Sequence, residues 1–117
     1  MPTSGAEAGE APGAAEPLHL VVRRRSPDEV EIVVTGALDV VSVDKLRARL
    51  DEVLCEGCRC LIVNLKGVTF ADAAALGLLV KTRAVLMRER GVLRLVYRGN
   101  PYIERVLRLT GLHRIFG

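Results

Sequence analysis

Few residues in this chain could carry chemistry. Its three cysteines crowd into "CEGCRC" as Cys55, Cys58 and Cys60. Cys55 and Cys58 have the spacing of redox motifs and zinc knuckles, but structural zinc takes four ligands and there is no second Cys pair. No metal is expected. The pair flanks Gly57, which leaves a reversible Cys55–Cys58 bridge as a redox candidate. Cys60 opens an apolar run and reads as a small core residue. His19 and His113 are the only histidines, and neither stands beside a Ser or Cys with an orienting acid. No nucleophile–base pair follows. A glycine-rich phosphate loop and a dinucleotide fingerprint are both missing. Asp39, Asp72 and Glu104 can meet only through tertiary folding. An enzyme is not expected, and neither is a cofactor.

The most informative stretch is "VTFADAAALGLLV", residues 68 to 80. A short β-like run meets Asp72, and small residues then open a helix. Asp72 is placed to cap it, accepting the amide of Ala74 or Ala75. Helix entrances commonly present polar groups; this one presents the methyls of Ala73, Ala74 and Ala75. Another protein could approach it closely. Along the helix, Ala73, Leu76, Val80, Ala84 and Met87 are expected to face the sheet. Leu78, Thr82, Val85, Leu86 and Glu89 are expected to face water, with Lys81, Arg88, Arg83 and Arg90 on the flanks. Three large apolar residues on that outer side suggest a docking stripe.

The elements that position this stretch can be read from pattern. Residues 18–25 and 29–38 are β-rich runs around Ser26-Pro27-Asp28 and predict a hairpin. Ser42 reads as an N-cap for a helix carrying Val43, Leu46, Leu50, Val53 and Leu54 at helical spacing, ended by Gly57. "CLIVNL" (60–65) reads as a buried strand, and Gly91 is expected to stop the helix that follows. "VLRLVY" (92–97) is a further strand. Asn100-Pro101 starts a last helix that ends at Gly111. The order β-β-α-β-α-β-α predicts a single α/β domain with a mostly parallel sheet.

Composition narrows the function. Residues 1–17 are rich in Ala, Gly, Pro and Glu, without periodicity, and read as a disordered tail preceding a domain over 18–117. That tail holds three acids and no Lys or Arg, so the remainder carries 17 basic against 11 acidic residues. The arginines are scattered and aromatics are 3%, so direct nucleic-acid binding is not expected. No apolar run is long enough to span a bilayer and no secretory leader is evident, so a cytoplasmic protein without membrane contact is expected.

Three stretches together resemble the STAS domains, and among them the bacterial anti-sigma factor antagonists. They are "VVTGALDVVSVDKLRARL" (33–50), "LIVNLKGVTFADAAALGLLV" (61–80) and "VLRLTGLHRIFG" (106–117). The resemblance implies a STAS-like fold with a four- to five-stranded sheet flanked by helices. It implies a partner too: an anti-sigma factor with a histidine-kinase-like ATPase fold, which phosphorylates antagonists on serine. On this chain the docking surface would comprise Asp39, Thr69, Phe70, Asp72, Ala73, Ala74, Ala75, Leu78, Thr82, Val85 and Leu86. The family's Asp-Ser-Ser-Gly step becomes Asp72-Ala73-Ala74-Ala75 here, so the phosphosite position is occupied by Ala73 and Ala74. Ala37 replaces the Glu of the family's Gly-Glu-Leu-Asp step. Two outcomes follow: a constitutive antagonist, or a scaffold in which the Ala75 methyl obstructs the kinase and the domain binds other STAS proteins. A redox-responsive regulator and a subunit of a transporter assembly are further alternatives.

Overall fold

The computed structural model describes residues 17–116; the tail read over 1–17 lies outside them except for Pro17. Two strands, β1 (His19–Arg24) and β2 (Glu29–Leu38), form the expected hairpin. Ser26 closes its turn, its hydroxyl accepting the amides of Asp28 and Glu29. Helix α1 (Val43–Cys55) crosses to β3 (Cys60–Ala71), and α2 (Ala73–Arg88) crosses to β4 (Val92–Val96). Helices α3 (Pro101–Thr110) and α4 (His113–Phe116) close the described chain. The strands lie in the order β1-β2-β3-β4, antiparallel at the hairpin and parallel elsewhere. The fold is α/β with four strands, as expected.

Period-2 alternation decides which side of the sheet is covered. Val30, Ile32 and Val34 of β2, Leu61, Val63 and Leu65 of β3, and Leu93 and Leu95 of β4 share one face and are buried. They form one core with Leu46, Leu50 and Val53 of α1, Leu79 and Leu86 of α2, and Ile103 and Leu107 of α3. The helices therefore stand on a single face.

β3 differs from the expected six-residue strand. It runs twelve residues, through Lys66 and Gly67 to the Asp72 junction. Twice it advances one residue more than β2, between Val33/Thr35 and between Gly36/Ala37. Each such bulge leaves backbone groups out of the ladder. In addition β4 ends opposite Asn64, so beyond that point one edge of β3 has no strand beside it. The start of α3 fills the gap. The Asn100 amide donates to the carbonyls of Leu65 (2.9 Å), Lys66 (3.2 Å) and Val68 (2.8 Å). Its carbonyl oxygen meanwhile caps α3 by accepting the Ile103 amide at 3.2 Å. The Tyr102 hydroxyl accepts from the Ala71 amide at 3.0 Å and faces the Ala71 carbonyl at 3.2 Å.

Two turns depart from expectation. The left-handed residue after α2 is Arg90 (φ 63°), not Gly91. Gly91 is needed for closeness instead: a Cβ there would lie 2.6 Å from the Arg59 carbonyl. Ser42 makes no side-chain cap to α1.

Replacing Asn100 by Ala removes a cap and three bonds to β3, two of them buried, so urea denaturation should show a loss of about 2–4 kcal/mol. Asn100→Asp keeps the cap acceptor but sets a carboxylate against carbonyls, and is expected to be destabilised as well. On the other face of the sheet, Glu31 is buried and accepts from Arg25 at 2.6 Å and Asn64 at 3.2 Å. The Arg25 bond first, then Asn64, holds its carboxyl below the ordinary glutamate value. A depressed carboxylate stabilises above its unfolded pKa of about 4.3, and the gain is lost as pH falls through the folded value. Glu31→Gln should therefore cost about 1 kcal/mol near neutrality, discounted for the half-exposed Arg25, and much less in acid. Denaturant midpoints at the two pH values measure this.

Candidate functional site

The parallel strands β2 and β3 end side by side, and the site lies where they end. Leu38 and Ala71 are register partners, and the Asp72 amide donates to the Leu38 carbonyl at 3.2 Å. The turn at 39–42 and the helix entrance at 72–74 are therefore neighbours.

Asp39 closes the first turn. Its carboxylate accepts the amides of Ser42 at 2.8 Å and Val41 at 3.0 Å. The Ser42 hydroxyl lies 3.0 Å from that carboxylate and 2.8 Å from the Ala37 carbonyl, its one proton divided between them. Bonds from the Ser42 amide and hydroxyl chiefly hold the Asp39 carboxyl below the usual range. The capping role expected of Ser42 has thus moved to Asp39. Ser42 already has helical dihedrals (φ −88°, ψ −14°), whereas a capping residue needs extended backbone.

Asp72 has that extended backbone (φ −100°, ψ −174°), and its carboxylate accepts the Ala75 amide at 3.1 Å. The expected cap is present and reaches the third helical residue. Glu104 accepts from the Gly99 amide at 3.1 Å. Each of the three acids noted in the sequence thus serves its own backbone.

What this end of the domain exposes is small and apolar. Ala73, Ala74 and Gly77 are exposed on α2, Thr69 is exposed on β3, and Phe70 is half-buried. Across the junction stand Val40, 68% exposed, and Val41, 81% exposed. These valines escaped the sequence reading. Their signal was a β-branched pair inside a polar turn, with no partner to pack against. Ala75 is fully buried, so its methyl points into the core and cannot obstruct a partner. That removes the steric ground for the scaffold alternative.

Further along α2 the expected phase is overturned. Leu78, Thr82 and Leu86 are buried, together with Ala75 and Leu79. The Thr82 hydroxyl donates to the Leu78 carbonyl at 2.8 Å. Ala73, Ala84 and Met87, expected to face the sheet, are exposed, while Leu76 and Val80 are half-buried. Of the proposed outer stripe only Val85 and Glu89 are exposed. Apolar residues occur nearly all round this helix, so periodicity carried little phase. Leu78, Leu79 and Leu86 turn inward with Ala75 and Thr82, while Ala73, Ala74, Gly77, Ala84 and the cations Lys81 and Arg88 turn outward.

The cysteines lie apart from this site, at the start of β3. All three are free thiols. Cys55 is exposed; Cys58 is buried, and its thiol donates to the Cys60 carbonyl at 3.3 Å. Burial foremost pushes the Cys58 thiol above its ordinary pKa, which disfavours the reactive thiolate. Among the described residues no group of three His, Cys, Asp or Glu side chains gathers as metal ligands would. No described helix is long and apolar enough to cross a membrane.

Comparison with known proteins adds the context. The model of the STAS domain family matches residues 21–117. An anti-sigma factor antagonist from Mycobacterium paratuberculosis is similar in structure at TM-score 0.76 and 27% identity, covering 86% of this chain and 83% of its own. The Bacillus cell fate determinant SpoIIAA, in its phosphorylated form, is similar at TM-score 0.67 and 23% identity, over 82% of this chain and 86% of its own. An antisigma-factor antagonist STAS domain from Rhodobacter sphaeroides is similar at TM-score 0.57 and 19% identity, over 68% and 85% respectively. The last two likenesses speak for the fold alone.

The corrected phase separates folding from surface along α2. Leu86→Glu should destabilise the domain by about 3–5 kcal/mol, because it sets a charge in the core. Val85→Glu, one residue earlier, should change stability by less than about 0.5 kcal/mol. Thermal melts of the two variants check this.

Proposed function

The chain belongs to the STAS domain family, and we propose that it is an anti-sigma factor antagonist. On this reading it is a non-catalytic regulator that binds an anti-sigma factor and so releases a sigma factor for transcription. The observation that carries the reading is the likeness to the mycobacterial antagonist over more than four-fifths of both chains. The surface supports it, since Val40 and Val41 on one strand-end turn and Ala73 and Ala74 on the neighbouring helix entrance are exposed, small and apolar. Such a surface can dock closely against another protein.

The partner is an anti-sigma factor of histidine-kinase-like ATPase fold, and this antagonist does not take its phosphate at the usual place. Phosphorylation would add about 1.5 to 2 negative charges at the helix entrance. Ala73 and Ala74 have no oxygen to receive them. Thr82 is no substitute, since its hydroxyl is buried and bonded. Thr69 is exposed but stands on β3, before the helix entrance, so on this reading docking is constitutive and set by the amounts of the two proteins.

Co-purification with each anti-sigma factor of the host tests the reading. Capture of one is expected, and incubation with it and ATP should leave residues 73–75 unlabelled. Val41→Glu should weaken capture about tenfold. Ala73→Asp should weaken it similarly while leaving stability unchanged or raised by about 0.5 kcal/mol, because a carboxylate suits a helix N-terminus. Failure to capture any anti-sigma factor, or phosphate transferred to the exposed hydroxyl of Thr69, overturns the proposal.

A further inference from the structure

The helices cover one face of the sheet and leave the other open among the described residues. Register places Val21, Val33, Asn64 and Val96 in one row across all four strands. Arg23, Glu31, Ile62 and Arg94 form the next row. Val21 is 51% exposed, and Val33, Ile62 and Val96 are half-buried without joining the core. On the inner strands Val33 and Ile62 lie diagonally beside Glu31 and Asn64, which bond to each other, and an arginine stands on each outer strand.

Charge distinguishes what could cover this face. Its one central carboxylate, Glu31, is already engaged by Arg25 and Asn64. Arg23 and Arg94 are exposed and make no ion pair among the described residues. Three strand spacings separate β1 from β4, about 14 Å, which admits a helix about 10–12 Å across. A helix laid along β2 and β3 would rest on Val33 and Ile62, with its two sides toward Arg23 and Arg94. A second copy fits less well, since face against face would set arginine against arginine, with Glu31 already bonded and Glu29 alone, at the start of β2, to meet them. Nucleic acid fits poorly as well, because neither row offers an aromatic ring for stacking.

We propose that this open face is a second docking surface, and that it takes an amphipathic helix of another protein whose apolar stripe is bordered by carboxylates on both sides. It is distinct from the Ala73–Ala74 surface, and the two can be tested separately.

The test is an amide-shift NMR titration of the full chain with two synthetic helical peptides of about 18 residues, roughly five turns. They share one leucine stripe; one is flanked by glutamates, the other by lysines. The glutamate peptide should shift Val21, Val33, Ile62 and Val96 and leave Ala73 and Ala74 in place, and the lysine peptide should not bind. The double variant Arg23→Glu/Arg94→Glu changes only exposed side chains, and should weaken the glutamate peptide about tenfold with an unchanged melt. Silence toward the glutamate peptide, or equal shifts with the lysine peptide, overturns the proposal. So does a response of the same amides only to a single-stranded oligonucleotide, to phosphatidylglycerol vesicles, or to raised concentration of the chain alone.

Discussion

One side chain holds the candidate site of this domain in place. β3 continues past the end of β4, carries two bulges, and has to deliver Asp72 beside the end of β2. A bulged strand edge with nothing beside it exposes carbonyls whose burial without partners costs about 1–3 kcal/mol each. Asn100 supplies partners to three of them from the N-cap of another helix, and Tyr102 satisfies Ala71 one step before the site. An amide has only two protons, so one is shared among the three carbonyls. The same Asn caps α3, which couples the direction of that helix to the shape of the strand. The helix entrance at Ala73 is therefore positioned from both sides: by β2 through Leu38, and by α3 through Tyr102.

That arrangement explains why the site is plain. Asp39 and Asp72 stand at adjacent strand ends, where a pair of acids could have served catalysis. Each is instead engaged by its own turn, through Ser42 and Val41 in one case and Ala75 in the other. What remains at the surface is mostly valine, alanine and the backbone of a helix start, with Thr69 beside them on β3. Such a surface recognises by shape, and its contacts gain from excluding water rather than from charge.

Much of this was legible in the sequence because strong local signals agreed with the fold. The hairpin follows from alternation around Ser26-Pro27-Asp28, α3 from Asn100-Pro101, and its end from Gly111 in the left-handed region. Where the reading failed, a local signal had two physical solutions. "LDVVS" offers two capping residues, and only backbone dihedrals tell that Asp39 caps and Ser42 does not. Arg90 and Gly91 could each have turned the chain, and the tight contact with Arg59 reserved the glycine for packing. In α2 the apolar residues run nearly all round, so the buried side was fixed by which residues fill space above β3 and β4. The roles of Asn100 toward β3 and of Tyr102 toward Ala71 span more than thirty positions, and no local pattern announces them.

On the proposed reading, the loss of a hydroxyl at Ala73 and Ala74 changes the kind of control available, not only its presence. A covalent switch moves a docking equilibrium at fixed concentrations, because the added charges alter the affinity itself. Carrying an equilibrium from about 1:99 to 99:1 takes roughly 5.5 kcal/mol, or a ten-thousandfold change in affinity. With the affinity constant, the same swing requires the free partner concentration to change by about ten-thousandfold. Synthesis and degradation act on total amounts, and where docking is tight the free partner falls steeply once the domain is in excess. A domain built this way is therefore governed by its ratio to its partner.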